Sequence, residues 1–236
     1  LPKDFHHGWK YLKIGKDNRI YFNIGAPCNV CEVKDPYATI ASIKLDGSGF
    51  SIFARGVRNS VGFLFHPVTD DLWFTDNGRD GLGDDLPPCE LNHSDGPGYH
   101  FGYPYCFGKN IIDKTLSFKK SCSQFIPTTM DFEAHVAPLG IDISTGNLFS
   151  EYFNNTIFIA QHGSWNRSKK IGYRIAYAKL NKEHKKIIDK GIFAEGWLKI
   201  NENVLGRPSD ILFNQSGDMF ISDDLSGNIY IIKYQN

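Results

Sequence analysis

The chain has 236 residues, of which 41% are hydrophobic, 14% aromatic and 22% charged. That composition builds a packed core and excludes a mainly disordered chain. Its 26 Lys and Arg balance 26 Asp and Glu, so no net basic field draws nucleic acid or an acidic membrane surface to it, and no apolar run approaches the ~18 residues of a membrane-spanning helix.

In chain order, the first notable cluster is His6-His7-Gly8-Trp9-Lys10. A histidine there suits a general base, because its ordinary pKa lies near neutrality; the plainer alternative is a pair of surface histidines. Asp17-Asn-Arg-Ile-Tyr-Phe-Asn-Ile-Gly25 follows, a turn leading into an apolar run. The same design returns at Asp70-Asp-Leu-Trp-Phe-Thr-Asp-Asn-Gly78, Asn155-Thr-Ile-Phe-Ile-Ala-Gln-His-Gly163 and Gly217-Asp-Met-Phe-Ile-Ser-Asp-Asp224. A second apolar run follows three of them, at Ala41-Ser-Ile-Lys-Leu-Asp46, Tyr173-Arg-Ile-Ala-Tyr-Ala-Lys-Leu180 and Asn228-Ile-Tyr-Ile-Ile-Lys-Tyr234. Short strands bounded by Gly, Asn and Asp indicate an all-β fold. About four repeating units indicate blades of a β-propeller, with a β-sandwich as the competing architecture. Residues 179–190 are rich in charge and are expected to make a helical turn or two.

Four blades close a ring awkwardly, and open sheet edges are a liability. The simplest reading is one partial propeller domain over residues 1–236, the C-terminal two-thirds of a longer propeller. Residues 80–124 are too long for an ordinary connection and are expected to be a functional insertion.

Five cysteines are present. Cys28–Cys31 and Cys106–Cys122 are expected to be bridges in an oxidising compartment, leaving Cys89 as a thiol; the alternative is five reduced cysteines packed as small hydrophobes. Arg58-Asn59 suits a carboxylate-bearing ligand. The Asp/Asn/Gly-rich stretch 76–85 invites calcium, although its spacing is not that of an EF-hand. Asp76, Asn77 and Asp223 are candidates for a calcium-dependent lactonase site. No Gly-x-Gly-x-x-Gly opens a helix and no P-loop occurs, which argues against a Rossmann enzyme. Gly163-x-Trp165 is no nucleophile elbow.

Taken together, several motifs resemble the glucose/sorbosone dehydrogenase family, in the sorbosone dehydrogenase-like branch, from His6 to Tyr234. They are His7-Gly-Trp-Lys10, Gly25-Ala-Pro-Cys-Asn-Val-Cys-Glu32, Arg58-Asn-Ser-Val-Gly-Phe63, Leu72-Trp-Phe-Thr-Asp-Asn-Gly-Arg-Asp80, His100-Phe-Gly-Tyr-Pro-Tyr-Cys106, His162-Gly-Ser-Trp-Asn-Arg-Ser168 and Gly206-Arg-Pro208. The resemblance implies a soluble six-bladed β-propeller that uses pyrroloquinoline quinone (PQQ) and Ca2+ to oxidise a sugar or polyol and passes electrons to an external acceptor, in the periplasm or outside the cell. It places the catalytic base at His7, with Arg58 offsetting charge on the reduced quinone. Cofactor binding falls to Arg58, Asn59, Arg207, Arg167 and His162, and calcium to the carbonyls of Gly78 and Arg79. Two family positions differ here, as Ser209 and Val61. A non-catalytic binding protein on the same scaffold is the alternative.

Overall fold

The computed structural model describes residues 1–116, 120–146, 149 and 151–234. It divides into two compact units, Leu1–Ala134 and His135–Asn236. Apart from one short 3-10 turn at Cys122–Gln124, every regular element in the described residues is a strand. None of them is a helix long and apolar enough to cross a membrane.

In the first unit, β1 (Leu12–Ile14), β2 (Arg19–Ile24), β3 (Thr39–Lys44) and β4 (Ser51–Arg55) form an antiparallel sheet in sequence order. A second sheet is built from β5 (Phe63–Phe65), β6 (Leu72–Asp76) and β7 (Glu90–Ser94). After a two-stranded ribbon of β8 (Cys106–Phe107) and β9 (Ile111–Ile112), β10 (Met130–Asp131) adds its last strand. The second unit holds a four-stranded sheet of β11 (Pro138–Ser144), β12 (Thr156–Gln161), β13 (Arg174–Leu180) and β14 (Ile187–Ala194). A three-stranded sheet of β15 (Pro208–Phe213), β16 (Met219–Asp223) and β17 (Asn228–Ile232) completes it.

The four repeated runs become β2, β6, β12 and β16, each the second strand of its sheet. The residue that turns the chain into each strand, Asn18, Asp70, Asn155 or Gly217, has positive φ (58–85°). Asn, Asp and Gly tolerate that region best, which is why the turns carry these residues. All residues of β6 and β12 are buried. A strand covered on both faces reads as a continuous apolar run rather than an alternation. In the first unit, Tyr21, Ile40 and Ala54 of one sheet pack with Phe63, Leu72 and Phe74 of the other. In the second, Phe158 and Ile175 meet Ile211, Met219 and Ile221.

Two expectations change. Residues 179–190 form no helix: they end β13, turn, and begin β14. Asn181 holds that turn, its side-chain oxygen accepting from the N–H groups of Lys185 and Lys186 (both 3.0 Å). A side chain that binds nearby backbone competes with helix, so the charge run becomes a hairpin. Residues 80–124 are also not a single excursion, because β7 within them is an integral strand of its sheet; residues 117–119 of this segment lie outside the described residues. The bridges Cys28–Cys31 and Cys106–Cys122 are both formed, and Cys89 is buried outside any disulfide.

Candidate active site

In the first unit the site begins where β2 ends. A Cβ on Gly25 would lie 2.5 Å from the Cβ of His7 and 3.3 Å from the carbonyl oxygen of Arg58, so glycine is what lets these two segments converge. The next residue ties them together. Ala26 N–H donates to the Arg58 carbonyl (2.8 Å), and the Ala26 carbonyl accepts from His7 Nδ1 (2.8 Å). Burial first, then the positive charge of Arg58, lowers the His7 pKa from 6.5 to about 3. The imidazole is therefore neutral near pH 7, its proton on Nδ1 and its lone pair on Nε2, as a general base requires. His6 packs against it with ring centroids 4.0 Å apart.

Arg58 is 4% exposed and knots three segments together. Its Nε donates to the Asn29 carbonyl (2.9 Å) and its Nη2 to Asn29 Oδ1 (2.9 Å). Its Nη1 is shared by the carbonyls of Asn77 and Gly78, each at 3.0 Å. Asp80 pairs with Nη2 at 3.7 Å. The Asp76 carboxylate accepts the backbone N–H groups of Arg58 (2.7 Å) and Asn59 (2.6 Å). Every side-chain nitrogen of Arg58 is thus engaged by protein oxygens, whereas the half-buried Asn59 side-chain amide makes no hydrogen bond among the described residues.

Gly78 also has no room for a side chain, since a Cβ would meet the Pro88 carbonyl at 2.7 Å. Its own carbonyl faces the Arg58 guanidinium, so a cation there would share this oxygen with an N–H donor. The Arg79 side chain is buried and turned to Asp113 (2.6 Å) and Thr115 (3.2 Å). No group of three or more His, Cys, Asp or Glu side chains is placed to hold a metal among the described residues; a site made of main-chain carbonyls is a different donor set.

The second unit repeats the arginine device. Arg207 N–H donates to Asp223 Oδ1 (2.8 Å), its Nε to the His162 carbonyl (3.1 Å) and its Nη2 to the Gly163 carbonyl (2.6 Å). The guanidinium lies 5.5 Å from the centre of the Tyr173 ring, and Nη1 has no protein partner among the described residues. His162 Nε2 bonds Asp224 (2.8 Å). Burial is the largest influence on His162 and lowers its pKa, although Asp224 opposes it. Arg167 is half-buried in the loop after β12.

The two arginines that the resemblance marks, Arg58 and Arg207, are both braced against main-chain oxygens. Asp76 and Asp223 each end a second strand and cap the backbone of an arginine, which leaves those carboxylates committed to N–H groups rather than to a lactonase metal. The recurring Thr-Asp and Ser-Asp endings were the available signal. No sequence signal marks Asn29 as the oxygen donor to Arg58.

Glu90 was likewise unmarked. It is register partner to Asp76 on one side and Asp131 on the other. Burial, then the neighbouring Asp76 charge, raises its pKa from 4.5 to about 8; burial also raises Asp76 to about 6. Glu90 accepts from Gly108 N–H (2.6 Å) and Asn92 Nδ2 (2.9 Å), and the buried Asn92 Oδ1 has no partner among the described residues. A folded pKa above the unfolded one favours folding fully below pH 4.5, and that stabilisation fades as pH rises through 8. Glu90→Gln removes the ionisation, and with the Asn92 amide flipped its new N–H₂ meets the orphaned oxygen. The variant is expected to gain about 1–2 kcal/mol over wild type between pH 6 and 9. Chemical denaturation at both pH values checks this; an equal difference at each would refute it.

Residues 39–235 match the family model described as TrAA12-like. Over 241 aligned residues the chain is 41% identical to a Borreliella burgdorferi protein described as uncharacterized, covering 100% of this chain and 63% of that relative's length. Two solved structures share the fold. The calcium structure of the Trichoderma reesei family AA12 carbohydrate-active enzyme has a TM-score of 0.78 at 19% identity, over 94% of this chain and 67% of that one. The holo form of the Coprinopsis cinerea pyranose dehydrogenase PQQ domain has a TM-score of 0.79 at 17% identity, over 98% and 71%. With the family model matching far more than half of its length, the chain belongs to the TrAA12-like family.

Proposed function

We propose that this chain forms about four blades of a six-bladed β-propeller oxidoreductase that oxidises a sugar or related polyol with PQQ and calcium, in the periplasm or outside the cell. The observation that carries the reading is His7. It is half-buried and neutral, held through Nδ1 by the Ala26 carbonyl, and tied through Ala26 to the Arg58-Asn59 segment. The family, the calcium structure of the AA12 enzyme and the holo PQQ domain of the pyranose dehydrogenase support the cofactor pair. The residues fit such groups: in the first unit the Asn59 amide is a donor without a partner among the described residues and the Gly78 carbonyl is an oxygen held in place, and in the second unit Arg207 Nη1 is likewise unpartnered among them. When bound, the quinone supplies a two-electron acceptor and calcium supplies Lewis acidity.

His7 Nε2 takes the proton of the substrate hydroxyl. The Nδ1 bond to Ala26 orients the ring and strengthens as it becomes cationic. In the first unit the Asn59 amide would donate to an acceptor group of the cofactor; in the second unit Arg207, Arg167 and His162 would offer donors of the same kind. Arg58 fixes the Asn77–Gly78 carbonyls and places a positive charge behind the site, an electrostatic contribution to any anion forming there. The carbonyls of Gly78 and Arg79 would hold calcium.

One observation favours the alternative, a non-catalytic binding protein: the guanidinium of Arg58 is already saturated by backbone and Asn29 oxygens. Calorimetric titration of the full-length protein with PQQ and Ca2+, paired with dye-linked oxidation of aldoses and sorbosone, decides between the two. Heat of binding and turnover are expected. Neither heat nor turnover moves the assignment to the binding protein.

A further inference from the structure

A cleft of about 140 Å³ opens in the first unit, lined among others by Asp35, Tyr37, Arg55, His100, Tyr105 and Lys120. None of these residues belongs to the site described above. It forms where the segment after β7 runs beside the end of β4, with Arg55 N–H donating to the Tyr99 carbonyl and Phe101 N–H to the Arg55 carbonyl.

The carboxylates at this cleft are in use. Asp35 takes Arg55 Nε (3.2 Å) and Nη2 (2.8 Å). The phenol of Tyr37 donates to Asp4 (2.5 Å) and that of Tyr105 to Glu32 (2.9 Å). Three nitrogen donors are not in use. His100 accepts from Gly102 N–H through Nδ1 (3.1 Å), which puts the proton of the neutral ring on Nε2, and that N–H has no partner among the described residues. Burial, followed by the charges of Lys120 and Arg55, lowers the His100 pKa to about 4 and keeps the ring in this form. Arg55 Nη1 is likewise unpartnered. Among the described residues Lys120 makes no hydrogen bond or ion pair; its ammonium lies 5.1 Å from the centre of the Tyr105 ring.

Unpartnered N–H donors beside carboxylates already in use call for a ligand that accepts. Asp35 offsets one of the two lining cations, and the carboxylates of Asp4 and Glu32 lie behind the phenols, so the cleft suits a monovalent anion better than a phosphate dianion. The Tyr105 ring, stacked on Phe125 (5.9 Å, 4° between planes), offers a flat wall to a carbon skeleton. We propose that this cleft binds a small organic monocarboxylate, whose oxygens take Lys120, His100 Nε2–H and Arg55 Nη1 while its carbon skeleton lies along Tyr105.

Calorimetry on the full-length protein tests this with benzoate, its neutral isostere benzamide and inorganic phosphate. Benzoate is expected to bind at least about tenfold more tightly than either of the others, the margin of a charge-assisted hydrogen bond. Lys120→Met should weaken benzoate about tenfold and Lys120→Arg should largely keep it. Asp35→Asn removes the competing anion and should tighten binding several-fold. Both positions are partly exposed, and unchanged thermal midpoints verify that the variants are folded. The proposal is overturned by any of four results: no benzoate heat up to about 10 mM, benzamide binding as well as benzoate, phosphate binding more tightly than benzoate, or a Lys120→Met variant that binds benzoate like wild type.

Discussion

Replacing His7 with asparagine is expected to lower sugar turnover by roughly 10²–10⁴-fold, the usual worth of a positioned general base, while PQQ binding by calorimetry persists. Asparagine is the informative choice. His7 sits at φ 53°, a region asparagine tolerates better than most residues, and its side-chain N–H₂ can replace the bond to the Ala26 carbonyl. It lacks the basic nitrogen, so the effect falls on the chemical step. The same geometry sets the pH dependence. The free base is the active form and the pKa lies near 3, so His7 contributes no acid limb to kcat/KM between about pH 5 and 8. Turnover in the asparagine variant equal to wild type would remove His7 from the reaction. An acid limb near pH 6.5 that vanishes in the variant would place the ring in solvent instead.

The second large effect is on stability. Arg58→Met is expected to cost about 3–5 kcal/mol, the range for removing one partner of a buried charged network. Methionine fills much of the volume, so the loss comes from polar groups left behind: the carbonyls of Asn29, Asn77 and Gly78 lose a guanidinium donor inside a packed site. Asp76 also loses the charge that opposes its raised pKa, which penalises the folded state further as pH rises. Arg58→Lys keeps the charge but not the planar fork, and a single ammonium cannot reach Asn29 and the 77–78 carbonyls together. It should fall between wild type and Arg58→Met. Urea denaturation measures all three, and a loss below about 1 kcal/mol for methionine would show that these carbonyls find other donors.

The Arg58 substitutions probe one half of a motif, Arg58-Asn59, that the sequence presents as a single unit. The resemblance assigns the pair to cofactor binding. In the folded chain the arginine is braced against main-chain oxygens and the asparagine amide is the one without a partner. Residue type could not divide them, because an arginine's five donors look alike in sequence whether they face a ligand or a carbonyl.

The local readings held wherever the cause is local. A turn residue that accepts positive φ followed by an apolar run specifies a strand through sterics and burial within a few residues, and Asn18, Asp70, Asn155 and Gly217 each introduce the second strand of a sheet. The two cysteine pairs were legible because each closes a short loop. The charge run at 179–190 misled because its composition suits a helix, while the Asn181 side chain closes a turn between two strands already bound to neighbours. Partner choice came from tertiary structure alone. Asn29 reaches Arg58 from another connection of the chain, Glu90 is pressed between Asp76 and Asp131 by strand register, and the donors around Lys120 converge where the chain returns beside β4. Sequence spacing encodes periodicity and turn chemistry. Which oxygen meets which nitrogen depends on strand pairing across tens of residues, and burial then sets what each group can do.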